Sequence, residues 1–301
     1  MEDYGLTIIV GLTVGMLARL LMLRSDYRHF PGYPHGYVTH ISLGFVAAAL
    51  GAVAVPALVE KEYTAVTFLA LAAQQFREIR NMERETLNHL EEIELVPRGK
   101  DLVEGIARVF ESRNYLVIAA SLQASVLTYF AGLPWAVLSS GIVLWIFSNY
   151  LAKGKVLREI ADVVPSQPYF GFAGYKTLLM VDEVVIMEVG LESARKKIME
   201  EGLGVLIKPK DDNARATLHQ VGQRQAILHT VSNLIGTKKE VGEPEWSPIA
   251  RKNIDTGEVA LFILPNEPDI RPLIQAVNIT PVLESSRTTP LESKPGKLAQ
   301  D

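Results

Sequence analysis

Cysteine is absent from all 301 residues, which excludes disulfides, thiolate metal sites and a cysteine nucleophile and is neutral about compartment. Basic charge is not in excess: 30 Lys and Arg stand against 34 Asp and Glu, a formal net charge of −4. No contiguous basic face is large enough to track phosphates, so a nucleic-acid partner is excluded. Several enzyme signatures are missing too, namely G-x-S-x-G, H-E-x-x-H, a P-loop and a G-x-G-x-x-G in context. No acidic or basic residue is expected mid-span, where transporters and proton relays carry one; Gln123 is the most polar central residue and is expected to bond a neighbouring helix.

What is present is apolar sequence, concentrated before Ala152. Five stretches run roughly Gly5–Leu23, Tyr37–Val59, Tyr63–Phe76, Tyr115–Gly132 and Trp135–Leu151. If each crosses a bilayer, one side collects Arg24 and Arg28, then Arg77, Arg80, Arg84, Arg98, Lys100, Arg108 and Arg113, then Lys153, Lys155 and Arg158. The other side has Lys61 alone. Positive charge beside spans stays cytoplasmic, so the pattern predicts a multi-pass cell-membrane protein with its N-terminus outside. Met1-Glu2-Asp3 supplies no basic n-region, and the first segment therefore reads as a retained anchor in contact with lipid, with Arg19 snorkelling to the headgroups.

The third stretch has about 14 residues where a crossing needs about 20. Its helical period continues beyond the apolar run through Phe76, Ile79, Met82, Leu87, Leu90 and Ile93, with Glu83 off the stripe, which predicts one long helix stopping before Pro97. Gly11 and Gly15, then Gly44, Ala47, Ala48 and Gly51, form small-xxx-small patterns that permit close helix packing within the bundle or in a homo-oligomer. Pro56 predicts a kink, and Leu133-Pro134 a very tight turn between the last two spans.

Beyond Leu151 the sequence alternates. Met180–Val189, Leu203–Lys208, Gly257–Leu264 and Ile279–Leu283 read as strands; Leu191–Glu201, Asn213–Ile235 and Asp269–Val277 read as helices. The fold class expected is thus an α-helical transmembrane bundle of about five spans followed by a small cytoplasmic α/β domain. Residues 1–151 form the first, with a cytoplasmic helical segment over 77–114, and 152–284 the second. The Ser/Thr/Pro/Lys-rich stretch 285–301 is expected to be disordered.

Three polar clusters are candidates for binding. Asp26, Arg28 and His35 lie in a loop rich in aromatics, prolines and glycines, which reads equally as an aromatic belt on a rigid turn. Arg77, Arg80 and Glu104 lie in the Arg-rich segment, where Glu104 and Arg108 have ion-pair spacing and a helix-packing role outweighs a catalytic one. Asp211 or Asp212 can N-cap the helix that follows, and Arg215, His219 and Gln223 sit near one face of it with Asp212 at its start; Arg224, next in the sequence, is a further candidate. That face suits an anionic ligand or a partner acid, although caps followed by a solvated face are common. His219 and His229 do not share a face, so no metal pair is predicted. Catalytic residues and cofactors are not identified.

Leu102-Val103-Glu104-Gly105-Ile106-Ala107 resembles the hexapeptide of the YIEGIA family, membrane proteins of endospore-forming bacteria. Four of its six positions match, with Leu102 and Val103 as apolar replacements. Asp26-Tyr27-Arg28, Tyr33-Pro34-His35-Gly36, Gln75-Phe76-Arg77, Arg113-Asn114-Tyr115, Pro209–Leu218 and Gly222–Ala226 resemble the family as well. The resemblance implies a role in spore formation and a small capping-complex protein subunit as partner, and it supplies no reaction. The function expected is assembly or recruitment from the cytoplasmic face. The alternatives are a membrane-associated enzyme whose site joins the three clusters and, third, a channel or transporter subunit.

Overall fold

A computed structural model describes residues 4–26, 34–91, 96–151, 154–238 and 248–298. The chain divides into two units, residues 1–86 with 106–154, and residues 87–105 with 155–301. Residues 87–105 group with the sheet-bearing unit.

The helical unit is built from α1 (Gly5–Asp26), α2 (Pro34–Val59), α3 (Tyr63–Glu91) up to Thr86, α4 (Lys100–Ala131) from Ile106 onward and α5 (Leu133–Ile146), the last continuing as a π-helical turn over Phe147–Leu151. Among the described residues four helices are long and apolar enough to cross a membrane: Gly5–Leu23, Gly36–Val59, Lys100–Ala131 and Leu133–Leu151. α3 is a single helix of 29 residues, long as expected, but its apolar half is too short to join those four.

Small residues decide how α1, α2 and α4 meet. A Cβ on Gly15 would lie 2.6 Å from the Ala48 Cβ, and one on Gly51 would lie 2.5 Å from the Ile118 carbonyl oxygen. A Cβ on Gly11 would collide with the Ser125 hydroxyl. Close backbone approach then allows hydrogen bonds between helices, which are needed where no water can substitute. Ser121 Oγ donates to the Ala48 carbonyl at 2.6 Å, Ser125 Oγ to the Thr7 carbonyl at 3.2 Å, and Gln123 to Ser139 at 2.7 Å. Gly132, with φ +89°, makes the tight α4–α5 turn beside Pro134; a residue with a Cβ would be strained there.

The sheet-bearing unit contains α6 (Leu157–Ile160), β1 (Ala161–Pro165), β2 (Pro168–Ala173), β3 (Lys176–Val181), β4 (Val184–Glu188), α7 (Glu192–Glu201), β5 (Leu203–Pro209), α8 (Asp212–Leu218), α9 (Val221–Ile235), β6 (Ile249–Lys252), β7 (Val259–Ile263), α10 (Ile270–Ile279) and α11 (Lys294–Leu298). Two sheets form, a four-stranded one in the order β1-β5-β7-β6 and a meander in the order β2-β3-β4. Among the described residues every strand pairing is antiparallel, so the layers are of the α+β kind; the broader expectation of a small domain of strands and helices holds. Val205, Ile207, Val259, Leu261 and Ile263 bury one face of the larger sheet with Leu218, Ile227, Val231, Leu273 and Val277 from the helices. The opposite residues Leu206, Ala260 and Phe262 join Leu179, Val181, Ile186 and Ile198 in a second core. Both faces of β5 and β7 are thereby covered, which explains their near-continuous apolar runs.

Several elements differ from the sequence reading. Met180–Val189 is the β3–β4 hairpin, turning at Asp182-Glu183. Ile279–Leu283 contributes one isolated bridge, Val156 to Pro281. Asn213–Ile235 breaks into α8 and α9 at His219-Gln220. Thr288 and Leu291 bond to α8: the Leu291 N–H donates to the Asn213 side chain at 3.0 Å and the Thr288 N–H to Thr217 Oγ1 at 3.4 Å.

Candidate functional site

The polar residues around α8 and α9 do come together, each with its own task. Asp211 is the N-cap of α8, accepting the Ala214 N–H at 2.6 Å; Asp212 is exposed in the first turn. Arg215 reaches the turn between β6 and β7, where its Nη2 donates to the Ile254 carbonyl at 2.6 Å. Gly257, with φ +81°, leaves the room: a Cβ there would lie 2.7 Å from Arg215 Cδ. His219 Nε2 lies 3.2 Å from the Gly257 carbonyl. Because a carbonyl only accepts, Nε2 carries the hydrogen. Burial holds the His219 imidazole below its ordinary pKa, and the nearby cations Lys252, Arg215 and Arg224 add to the effect against the Gly257 bond.

Gln223 and Arg224 act on the backbone around the helix break. Arg224 Nη1 donates to the His219 carbonyl at 2.6 Å and to the Leu218 carbonyl at 3.4 Å, two acceptors that the end of α8 leaves available. Gln223 is fully buried; its amide donates to the Pro281 carbonyl at 3.1 Å and its Oε1 accepts the Leu283 N–H at 2.8 Å. The side chains that the sequence groups as an anion-binding face thus spend these hydrogen bonds on the protein's own loops.

The other two clusters fare differently. Arg28 lies outside the described residues, as do the side chains of Asp26, His35 and Arg77. Arg80 pairs with Glu111 at 3.6 Å, and Glu104 is half-buried on α4.

A charged network that the sequence reading missed lies inside the helical unit. Arg19, expected to snorkel outward, is completely buried. Its Nη2 lies 2.9 Å from His40 Nδ1, and its Nε donates to the His40 carbonyl at 3.3 Å. Guanidinium offers no lone pair, so Nδ1 accepts and the imidazole hydrogen sits on Nε2. That nitrogen faces Glu83 Oε1 at 3.5 Å. Glu83 is buried although it was placed on the exposed side of α3, and Met82 is exposed in its stead. The Phe110 ring completes the site, 5.0 Å from the Arg19 guanidinium and 4.2 Å from the His40 ring. Gly44, one turn after His40, leaves the space that the Arg19 stem fills. The signal in the sequence was a cation within an apolar run, which must find a partner or reach water.

The third feature is a groove of about 690 Å³ in the sheet-bearing unit, lined by Phe170, Phe172, Thr177, Arg195, Lys196 and Met199 among others. Arg195 Nη1 donates to Thr177 Oγ1 at 2.9 Å, which lays its stem along the groove. Phe172 is 81% exposed, and Tyr175 at the β2–β3 turn is wholly exposed.

The family model described as YIEGIA protein matches residues 7–293. The chain belongs to the YIEGIA family. It is 42% identical over 292 residues, 97% of each chain, to the uncharacterized protein YphB of Bacillus subtilis (strain 168). No solved structure matches it.

The hexapeptide resembling the family's own has a structural part in this YIEGIA protein. Leu102 and Val103 are buried, and the Leu102 N–H donates to the Gln225 side chain on α9 at 3.0 Å. A Cβ on Gly105 would meet the Ser285 hydroxyl. Leu102 and Gly105 hold the start of α4, itself part of the sheet-bearing unit, against α9 and Ser285.

Proposed function

We propose that this YIEGIA protein is a multi-pass membrane protein that works by assembly, holding a soluble protein partner at the cytoplasmic face of the membrane during spore formation. Four helices of sufficient length and apolarity support membrane residence. The orientation rests on the one-sided distribution of Arg and Lys around the apolar segments. Spore formation, and a small capping-complex subunit as partner, are what the family resemblance implies.

One observation carries the recruitment reading. The charged clusters described in both units are bonded to the protein's own groups, whereas Phe172 and Tyr175 project from a β-hairpin into solvent. Exposed aromatics of this kind are over-represented at protein interfaces. The test is affinity purification of the tagged full-length protein from membranes of sporulating cells. A stoichiometric soluble protein is expected with the wild type and not with a Phe172→Ser, Tyr175→Ser variant. Recovery of no partner by the intact protein would overturn the proposal.

A further inference from the structure

The two edges of the three-stranded sheet are protected very differently. β4, at one edge, ends on Glu188, which pairs with Lys176 at 2.9 Å; its register with β3 shifts between Leu179 and Met180, and it lies against β6 and β7. Charge, a bulge and cover are the usual devices that keep an edge from pairing with another chain. β2, at the other edge, reads Pro168-Tyr169-Phe170-Gly171-Phe172-Ala173, six residues with no charge. Pro168 stands at its start, and α7 lies against the strand through the face that carries Phe170 and Phe172.

The backbone of β2 is oriented for pairing. Gly174, with φ +62°, and Tyr175 form a two-residue turn between Ala173 and Lys176, which are partners in the ladder. A two-residue turn closes on a hydrogen-bonded pair, and antiparallel bonding alternates along the strand. Ala173, Gly171 and Tyr169 therefore bond inward to β3, while Phe172 and Phe170 turn their N–H and C=O groups outward. Those same two residues line the groove beside α7.

We infer that β2 accepts an extended peptide segment of the partner as an additional strand, with apolar side chains at alternate positions and a carboxylate directed at Arg195 and Lys196. The inference rests on the recruitment role proposed above and names the chemistry of the partner. Added main-chain hydrogen bonds would supply affinity, and the groove would supply selectivity. Phe170, Phe172 and Met199 offer apolar contact to every second side chain of the incoming strand. Among the lining side chains Arg195 and Lys196 stand against Glu192; Lys196 also reaches Glu200 at 3.9 Å, so the Arg195 guanidinium, fixed by its bond to Thr177, is the main cation for an incoming carboxylate.

A random dodecapeptide library displayed on phage, selected against the full-length protein in lipid nanodiscs, tests the assignment. Enriched peptides are expected to alternate apolar with polar residues and to carry Asp or Glu. As synthetic peptides they should lose binding when N-methylated at alternate positions. They should also bind about tenfold more weakly to Phe172→Ser and to Arg195→Glu variants. Phe172 is exposed enough for its replacement to spare folding, and Arg195→Glu provides a second, independent probe. Lack of enrichment, or peptides with helical spacing, or peptides insensitive to both variants, would overturn the inference. A Phe172→Cys variant, clean because the chain has no cysteine, separates the other occupants. A cross-link between two copies would give the edge to a second protomer, and protection from a water-soluble maleimide in proteoliposomes would give it to lipid; either result overturns the peptide assignment. If a partner co-purifies with wild type and with Phe172→Ser alike, the peptide edge fails while recruitment stands. If peptides bind but no partner is recovered, recruitment fails.

Discussion

Both units set an arginine beside a histidine, and they satisfy the pair by different means. In the helical unit Arg19 and His40 are fully buried, and a buried carboxylate on a third helix, Glu83, faces the far side of the imidazole. In the sheet-bearing unit Arg215 and His219 are partly exposed, and loop carbonyls at Ile254 and Gly257 suffice. The difference follows from access to water. A cation that keeps part of its hydration needs only to orient a few dipoles, whereas one that has lost it needs an opposite charge.

The sharpest way to break this comparison is to remove the carboxylate. Glu83→Gln keeps the shape but takes the buried carboxylate away from the His40 edge of the Arg19–His40–Glu83 network, and removing one partner of a buried charged pair in this way costs about 3–5 kcal/mol. A large drop in the thermal midpoint of the detergent-solubilised protein is expected, with recovery in an Arg19→Met, Glu83→Gln double variant that removes both charges. An unchanged midpoint in the single variant would show that the buried network does not depend on the Glu83 carboxylate, and the contrast between the two units would fail.

A smaller effect is expected at Gln223, which makes the same contrast with a neutral group. Gln223→Leu is close in volume but leaves the Pro281 carbonyl and the Leu283 N–H unpaired, costing about 1–3 kcal/mol for each group left buried. Hydrogen exchange at Leu283 should accelerate correspondingly. Exchange as slow as in the wild type would show that the segment over 281–283 is held by packing alone.

The same contrast explains what could be read from the sequence. The apolar segments, the tight turn at Leu133-Pro134, β5 and α7 are legible because each depends on local pattern. The glycine and alanine pattern of α1 and α2 correctly marked a close-packed face, since small size is itself the cause of the contact. Arg19 was misread because its burial depends on His40 and Glu83, which reach it only through tertiary packing. Asn213–Ile235 looked like one helix because nothing local announces that Arg224 will take over the carbonyls of Leu218 and His219. β2 went unread because its Pro and Gly argue against a strand, and because β3 is what pairs it. The candidate site was legible as a set of neighbours around α8 and α9. Which groups would satisfy them was not, because the turn at 253–257 lies some forty residues away in the chain.

The smallest expected effect concerns His219 and sets the pH behaviour of the sheet-bearing unit. Burial, aided by Lys252, Arg215 and Arg224, holds its folded pKa below the ordinary 6.5. Below pH 6.5 the unfolded chain therefore binds this proton more readily than the folded one does. Stability tied to neutral His219 is fully present above 6.5 and is lost as the pH falls through the lowered folded value. Protonation would add a fourth like charge beside Lys252, Arg215 and Arg224, although Nε2–H could still serve the Gly257 carbonyl, so the loss is partial. His219→Gln removes the titration while its side-chain amide still has a donor to offer. Urea unfolding between pH 7 and pH 5 should accordingly show a shallower decline for the variant than for the wild type, and parallel declines would assign the acid sensitivity of this unit to other groups.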